Sequence, residues 1–260
     1  MADKDTKKVE EEETTFKEEA IDFAKFAVGF VTAFFLVRSL VYDYFIIPSS
    51  SMYPTLLIGD MPLVEKWPYG YSKHSFWFSP NVFAGRKAKQ RDVVRGEVIV
   101  FKMPEDNETN IIKRVVGLPG DKIKVVNGTL YINGLEAKKT FVDNIVYVDE
   151  RDGSYRPLKL YKEVIPYSNI EHEVAYDSDR AFTPQNNMSE VTVPAGYYFV
   201  MGDNRDYSKD SRCGLGMVPE ENLMGHASHV LHSIGNGVKL WEPHLWLQNI
   251  RYSRILKKII

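Results

Sequence analysis

The stretch NIIKRVVGLPGDKIKVVNGTLYINGLEA, Asn110–Ala137, has the pattern of short β-strands joined by tight turns. Pro119 and Gly120 suit the two central positions of a type II turn. The Asn-Gly pairs at 127–128 and 133–134 are hairpin signals. Three other apolar runs bounded by turn residues have the same character: EVIVF (97–101), TVPAGYYFVMGDN (192–204) and HASHVLHSIG (226–235). The sequence therefore predicts a mainly β fold.

One long apolar helix is predicted ahead of this β region, over TTFKEEAIDFAKFAVGFVTAFFLVRSLVYDYF (14–45). Thr15 and Glu18 have the spacing of a capping box at its start, and Pro48 stops any helix that approaches it. No small-x-small cleavage site follows the apolar run, which disfavours a signal peptide. The pattern favours an uncleaved membrane anchor over residues 20–45, with a buried core helix as the alternative.

Charge and composition exclude some classes of function. The chain has 33 basic and 35 acidic side chains, a net charge of −2, without the basic excess typical of nucleic-acid-binding domains. Its single cysteine, Cys213, cannot form an internal disulfide. Acidic residues outnumber basic ones in the tail 1–19, whose tip DKDTKKVEEEE has no apolar periodicity and is expected to be disordered.

Composition also divides the part of the chain that follows the anchor. Residues 46–137 and 191–260 contain the strand-like runs and are expected to form the first and second parts of one β domain. Residues 138–190 are polar and acidic with weak strand signals. We expect this middle segment to be an inserted β subdomain or a flap.

Three consecutive serines, 49–51, lie between Pro48 and Pro54. Because Pro48 fixes its own φ and Pro54 disfavours helical angles in the residue before it, the segment is expected to be extended. Ser49 and Ser51 then point to the same side. The serines are either a polar linker beside the anchor or the site of a catalytic nucleophile held near a membrane.

A nucleophilic serine needs a base, and none of the six histidines lies in a recognisable triad motif. Lys113 is the better candidate, because Ile111 and Val115 lie on its own face of the predicted strand. Desolvation between them disfavours the ammonium form and lowers the pKa. The alternative is a lysine at a sheet edge that extends into water.

A third candidate segment is GDNRDYSKDSR, residues 202–212. Ser208, Asp210 and Arg212 alternate along it and share one face if the segment is extended. Asp210 and Arg212 can form an ion pair, and Ser208 can hydrogen-bond an amine. The alternative is a charged surface loop.

Four segments together, in order after an N-terminal anchor, resemble type I signal peptidase, a membrane-anchored Ser/Lys protease: IPSSSMYPTLLIGD, RGEVIVF, IIKRVVGLPGDKI and GDNRDYSKDSR…GMVPEENLMG. The resemblance covers most of the chain except the acidic tip and the insert. It implies that Ser51 is the nucleophile and Lys113 the general base. Ser49 matches the hydroxyl that joins the Ser51 amide in the oxyanion hole, and Ser208 matches the serine that orients the lysine amine. The other implied site residues are the supporting Asp210, Arg212 and Arg114, and the pocket-lining Ile47, Pro48, Met52, Leu56, Ile111 and Ile112.

This resemblance also implies a reaction, partners and a location. The reaction is removal of signal peptides after an Ala-x-Ala-like motif through an acyl-enzyme, without metal or cofactor. The implied partners are signal peptides of secretory preproteins and membrane lipid, with the secretion translocon as a further candidate and no nucleic acid. The implied location is the bacterial inner membrane, with a cytoplasmic N-terminus and a periplasmic catalytic domain.

The chain departs from the family pattern in two places. Ser50 lies where the family often has glycine, and CGLGMVP (213–219) lacks the aromatic residues often found there. Two other interpretations compete with the peptidase. A self-cleaving Ser/Lys repressor would carry a helix-turn-helix module where this chain has an apolar helix, and a non-enzymatic anchored β domain gives no reason for both Ser51 and Lys113.

Overall fold

The computed structural model describes residues 2–76, 85–168, 170–179, 183–235, 238 and 242–260. Its helices and strands, in chain order, are α1 (Ala2–Leu40), β1 (Tyr42–Tyr44), β2 (Asp60–Glu65), β3 (Val98–Lys102), β4 (Asn110–Gly117), β5 (Lys122–Val126), β6 (Thr129–Ile132), β7 (Leu135–Glu136), β8 (Lys138–Val148), β9 (Tyr155–Val164), β10 (Glu171–Asp177), β11 (Met188–Thr192), β12 (Tyr197–Met201), β13 (Val218–Pro219), β14 (Leu223–Ser233) and α2 (Pro243–Asn249).

The strands form three antiparallel sheets, which confirms the predicted mainly β class. The largest has seven strands in the order β1-β2-β14-β3-β4-β12-β13. A four-stranded sheet has the order β11-β5-β6-β7, and a three-stranded sheet the order β10-β9-β8. The stretch Asn110–Ala137 supplies β4 to the seven-stranded sheet and β5, β6 and β7 to the four-stranded sheet.

Those turns have the predicted backbone conformations. Asn127 and Gly128 both have positive φ, at 48° and 73°, as a type I′ hairpin turn requires. Gly120 has φ of 92°, and the Asp121 amide donates to the Leu118 carbonyl at 3.0 Å, which closes the turn after Pro119. The sequence prediction of this meander is therefore confirmed.

The N-terminal helix begins earlier than predicted. α1 starts at Ala2, so the acidic tip expected to be disordered is helical, and Thr15 lies inside the helix rather than at its cap. Glutamate and lysine, which dominate the tip, are good helix formers. An 18-residue window within Phe16–Leu40 has a mean hydropathy of 1.9 and is unburied against the rest of the chain, so this helix is long and apolar enough to cross a membrane.

The helix also ends earlier than predicted, at Leu40 rather than near residue 45. The following residues form β1, where Asp43 lies opposite Val64 of β2. Asp43 accepts a hydrogen bond from Arg38 Nε at 2.9 Å and pairs with Lys66 Nζ at 3.0 Å. These tertiary contacts hold the chain extended where the sequence pattern alone favours helix.

Strand alternation divides the core between two faces of the main sheet. Val115 lies in a cluster with Ile99 and Phe101. Val116, the next residue of β4, lies in a second cluster with Ile123 of the four-stranded sheet. Each of these side chains is fully buried, which contributes roughly 1.5–3 kcal/mol per residue to folding. The doubly packed β4 is therefore a rigid support for Lys113.

The segment 138–190 contains the three-stranded sheet, β8 to β10. Its last residues, from Met188, belong to β11, which pairs with β5 instead. The predicted domain boundaries stay a prediction, because the sheets alone do not define independent folding units.

Candidate active site

Ser51 lies in the connection between β1 and β2, which forms tight turns rather than the extended chain that its prolines predict. The Ser50 carbonyl accepts a hydrogen bond from the Tyr53 amide at 3.0 Å, and the Met52 carbonyl accepts one from the Leu56 amide at 2.9 Å. The chain must reverse direction here because β1 and β2 are antiparallel neighbours. The prediction that residues 48–53 are extended is therefore wrong.

Lys113 approaches Ser51 from the middle of β4, where it lies opposite Ile99 of β3. Its Nζ is 2.6 Å from Ser51 Oγ. The residue is only 4% exposed. Burial lowers the pKa of Lys113 to about 8, against the opposing attraction of Asp210 and Asp203. A buried amine with so low a pKa, at hydrogen-bond distance from a hydroxyl, is suited to activate that hydroxyl as a nucleophile.

The bend in the chain keeps Ser49 and Ser51 on the same side, with their Oγ atoms 3.4 Å apart. Ser50 is buried and donates its hydroxyl to Asp149 Oδ2 at 3.3 Å. Ser50 is not among the residues with positive φ, so a serine at this position carries no left-handed backbone strain. The departure from glycine is therefore tolerated here.

Ser208 is buried, and its hydroxyl has no hydrogen-bond partner among the described residues. The predicted hydrogen bond to the Lys113 amine is therefore not formed in this structure. The hydroxyl lies against Gly202, where a Cβ would be 2.3 Å from Ser208 Oγ and 2.5 Å from the Ser51 carbonyl oxygen. Ser208 is thus close to Ser51 without being bonded to the lysine.

Asp210 and Arg212 form the predicted ion pair, although the segment is looped rather than extended. Arg212 Nε and Nη2 contact the two carboxylate oxygens of Asp210 at 2.9 and 2.8 Å. Asp210 also accepts the Gly202 amide at 2.9 Å. Burial raises the pKa of Asp210, but the attraction of Arg212 outweighs it and leaves that pKa below its usual value. The carboxylate stays charged and fixes the turn that carries Gly202.

Arg114, the residue after the lysine, points to the other side of β4 and pairs with Asp203. Its Nε and Nη2 lie 2.8 and 2.6 Å from the two carboxylate oxygens. Both side chains are 1% exposed. Arg114 also donates to the Gly96 carbonyl at 2.7 Å. This ion pair ties the 202–212 loop to β4.

The three-stranded sheet packs directly on the same loop. The Ala175 amide donates to the Asp203 carbonyl, and the Arg205 amide donates to the Ala175 carbonyl, both at 2.8 Å. Arg205 also forms a bidentate ion pair with Glu163, with Nη1 and Oε2 2.8 Å apart. His172 lies beside the carboxylates of Glu163 and Asp203. Burial lowers the pKa of His172 to about 3, so the imidazole is neutral near pH 7. The segment 138–190 therefore supports the site rather than merely covering it.

The predicted pocket residues do not all lie together. Ile47, Met52 and Leu56 belong to one buried cluster, and the partly buried Ile112 packs against it. Ile111 packs instead against the cluster on the opposite face, since neighbouring residues of a strand alternate. Pro48 is exposed.

Sequence reasoning missed the role of the Gly-Asp-Asn turn, which it interpreted only as turn chemistry. The Asn204 amide donates to the Ser51 carbonyl at 3.2 Å, and its side chain donates to the Ser50 carbonyl at 3.1 Å. The available signal was three turn residues placed directly after the buried strand β12. Among the residues that the structure describes, no group of three His, Cys, Asp or Glu side chains could hold a metal ion.

Comparison with known proteins identifies the family. The model of the family "Signal peptidase, peptidase S26" matches residues 20–232. The chain belongs to the signal peptidase family, peptidase S26. Signal peptidase I of Rickettsia typhi is 36% identical to it over 92% of this chain and 93% of the relative. Signal peptidase I of Rickettsia prowazekii is 34% identical, with the same coverage of 92% and 93%.

Among solved structures, a signal peptidase I from Enterococcus faecalis is 29% identical, covering 52% of this chain and 97% of that chain, with a TM-score of 0.31. Membership of the signal peptidase family makes the chain a serine endopeptidase that removes signal peptides from preproteins. The apolar helix α1 is consistent with a membrane-anchored enzyme.

Gly202→Ala is expected to lower the free energy of unfolding by about 1–3 kcal/mol, the usual cost of overpacking. The added methyl would meet the Ser51 carbonyl and the Ser208 side chain, so cleavage should fall with stability. Thermal unfolding and cleavage rates measure the two effects. Gly29→Ala is the matched control, because the methyl group that it adds has no neighbouring atom within 4 Å. Equal behaviour of the two variants would contradict the close packing of Gly202 on Ser51.

Proposed function

We propose that Ser51 and Lys113 form a catalytic dyad that cuts preproteins after an Ala-x-Ala-like motif. The observation that carries this proposal is the 2.6 Å separation of Ser51 Oγ and Lys113 Nζ, with the lysine buried. In solution a lysine amine is charged at neutral pH and cannot accept a proton. Burial with a pKa of about 8 leaves a useful fraction of it neutral.

In the proposed reaction, neutral Lys113 accepts the proton of the Ser51 hydroxyl as Oγ attacks the carbonyl carbon of the scissile bond. The tetrahedral intermediate collapses, and the leaving amine of the mature protein takes that proton from Lys113. The signal peptide is then an ester on Ser51. Water attacks this ester with Lys113 again as base, which releases the signal peptide and restores the serine.

The developing oxyanion needs hydrogen-bond donors on the same side as Oγ. We assign this role to the Ser51 amide and the Ser49 hydroxyl, whose oxygen lies 3.4 Å from Ser51 Oγ. Removing one such donor costs roughly 3 kcal/mol of transition-state stabilisation. Asp210, Arg212 and the Arg114 ion pair position the loop that bonds the Ser51 carbonyl, and Ser208 fills the space beside it.

The preference for small side chains is assigned to the apolar wall beside Ser51. Ile47, Met52, Leu56 and Ile112 fill that wall as one packed cluster, which supports a shallow pocket. A pocket of this kind discriminates by size, by about 10–200-fold per misfitting group. Alanine residues before the cut fit where larger side chains collide.

The proposed location is the bacterial inner membrane, crossed once by α1, with the N-terminus in the cytoplasm and the β domain in the periplasm. The apolar, unburied span Phe16–Leu40 supports the crossing. The exposed Tyr42 and Tyr44 directly after it suit the membrane surface. Contact with lipid follows from this location, and contact with the translocon stays a prediction.

The rate of cleavage is expected to rise with pH through a pKa near 8. The sign follows from the proposed base: below the pKa Lys113 is an ammonium that cannot accept the serine proton, and above it the amine is neutral. The measurement is kcat/KM for a preprotein from about pH 6 to pH 10, which reports groups of the free enzyme. A rate that is flat over this range, or falls as the pH rises through 8, would exclude Lys113 as a neutral base.

Mass spectrometry of a cleaved preprotein is expected to show a new N-terminus directly after Ala-x-Ala. Replacing the alanine before the cut by tryptophan should lower kcat/KM by at least about tenfold, because the larger side chain does not fit the pocket. The same replacement two residues after the cut is the matched control. Cleavage elsewhere, or equal cleavage of both substrates, would contradict the assigned specificity.

A further inference from the structure

A cavity lies where α1 leaves the proposed membrane, apart from the Ser51 site. Its volume is about 320 Å³, at the lower end of the roughly 300–1,000 Å³ typical of ligand pockets. The charged side chains that line it are Arg38, Asp43, Lys66 and Lys102, and the aromatic ones are Phe45 and Phe76. Three cations therefore face one carboxylate.

Asp43, that carboxylate, is already occupied by protein groups. It accepts hydrogen bonds from Arg38 Nε and from the Tyr44 amide, both at 2.9 Å, and forms an ion pair with Lys66 at 3.0 Å. It neutralises one of the three cations at most. The cavity thus keeps an excess of positive charge.

Lys66 is the most unusual of the cations, because it is only 2% exposed. Its amine donates to the Ser75 carbonyl at 2.8 Å besides pairing with Asp43, which leaves one of its three N–H groups without a partner among the described residues. Burial lowers the pKa of Lys66, and the nearby cations Arg38 and Lys102 lower it further. Asp43 raises this pKa, but the net effect is a lowered value. An anion in the cavity would relieve this repulsion.

Lys102 borders the same cavity from the end of β3. Its amine donates to the Glu108 carbonyl at 2.6 Å, and within the described ranges it makes no ion pair with a carboxylate. Two of its N–H groups are therefore available to a ligand. Arg38 supplies a guanidinium, which suits the oxygens of a phosphate.

The position of the cavity indicates where the anion comes from. Arg38 and Ser39, in the last turn of α1, line it. Both residues lie at the C-terminal end of the apolar span Phe16–Leu40. The exposed Trp67 directly follows Lys66 in the sequence. Polar headgroups lie at this depth of a bilayer.

We propose that this cavity binds the phosphate of an anionic phospholipid, with Arg38, Lys66 and Lys102 as the cationic contacts and Phe45 and Phe76 against the glycerol end. The inference rests on the proposed anchoring of α1 in a membrane. It is independent of the Ser51–Lys113 reaction, because none of these residues belongs to the dyad.

The test is calorimetric titration of the full-length protein, in an uncharged detergent, with a short-chain phosphatidylglycerol. Saturable binding is expected, and Lys102→Glu should weaken it at least tenfold. The matched control is Lys124→Glu, the same charge change on the exposed side of β5. Unchanged binding by Lys102→Glu, or equal loss with Lys124→Glu, would overturn the proposal.

Two further titrants identify the ligand. Short-chain phosphatidylcholine, whose headgroup carries a compensating cation, should bind at least tenfold more weakly than phosphatidylglycerol. Inorganic phosphate alone should bind more weakly still, since it lacks the glycerol and acyl contacts. Inorganic phosphate as tight as the lipid would mean a free-anion site and would overturn the lipid assignment.

A last measurement needs no variant. Binding through ionic contacts weakens with salt, so the affinity for phosphatidylglycerol should fall several-fold from low to high sodium chloride. Binding that is indifferent to salt would overturn the charge-based assignment. Because the titration does not depend on cleavage, a failure here and a failure of the proposed dyad are separate results.

Discussion

Replacing Lys113 by methionine is expected to lower kcat for preprotein cleavage by at least about 1,000-fold while the protein stays folded. Methionine has a similar length and no basic nitrogen, and the site is already buried. Ser51→Ala should have an effect of the same size. Lys113→Arg should be as inactive, because arginine stays charged and cannot accept a proton.

The double variant Ser51→Ala with Lys113→Met makes the test sharper. Groups that act as one unit are not additive, so the double variant should be no slower than either single one. Lys124→Met, on the exposed side of β5, is the matched control and should cleave at the wild-type rate. Mass spectrometry of the preprotein measures cleavage by all five variants and by the wild type. Wild-type cleavage by Lys113→Arg, or independent and multiplied losses in the double variant, would remove Lys113 from the chemistry.

The sequence predicted well those parts of the fold that local chemistry decides. The strands from β4 to β7 are joined by turns at Pro119-Gly120 and at two Asn-Gly pairs, whose backbone preferences hold in any context. The end of α1 was predicted wrongly, because it depends on contacts of Asp43 with Lys66, far along the chain. Apolar periodicity does not contain that information.

The same distinction applies to the candidate site. Ser51 and Lys113 stand in recognisable segments, and the structure places their side chains at hydrogen-bond distance. The support beneath them is long-range: Arg205 and Glu163 are 42 residues apart and Arg114 and Asp203 are 89 apart. No local pattern pairs one arginine with one acid when the chain has many of each. The support that the segment 138–190 gives to the site, through the pairing of Glu163 with Arg205, is therefore visible only in the structure.

Breaking the Arg114–Asp203 ion pair is expected to lower the free energy of unfolding by about 3–5 kcal/mol. Both side chains are 1% exposed, so removing either partner leaves a charge buried without its counterion. Arg114→Met should cost more than Asp203→Leu, because it also removes the donor to the Gly96 and Ile260 carbonyls, whereas Asp203→Leu frees only the Thr55 hydroxyl. Cleavage should fall in both variants, since Asp203 adjoins Asn204, whose amide bonds the Ser51 carbonyl.

The double variant Arg114→Met with Asp203→Leu measures the interaction free energy of the ion pair separately from the cost of losing each side chain. An apolar pair leaves no buried charge, so the double variant should recover part of the stability that each single variant loses. Urea unfolding followed by tryptophan fluorescence measures the full cycle. The control pair is Lys162–Glu171, which is half exposed at 3.6 Å and should contribute at most about 1 kcal/mol. Strictly additive losses at Arg114 and Asp203 would mean that the pair, despite its burial, does not hold the loop to β4.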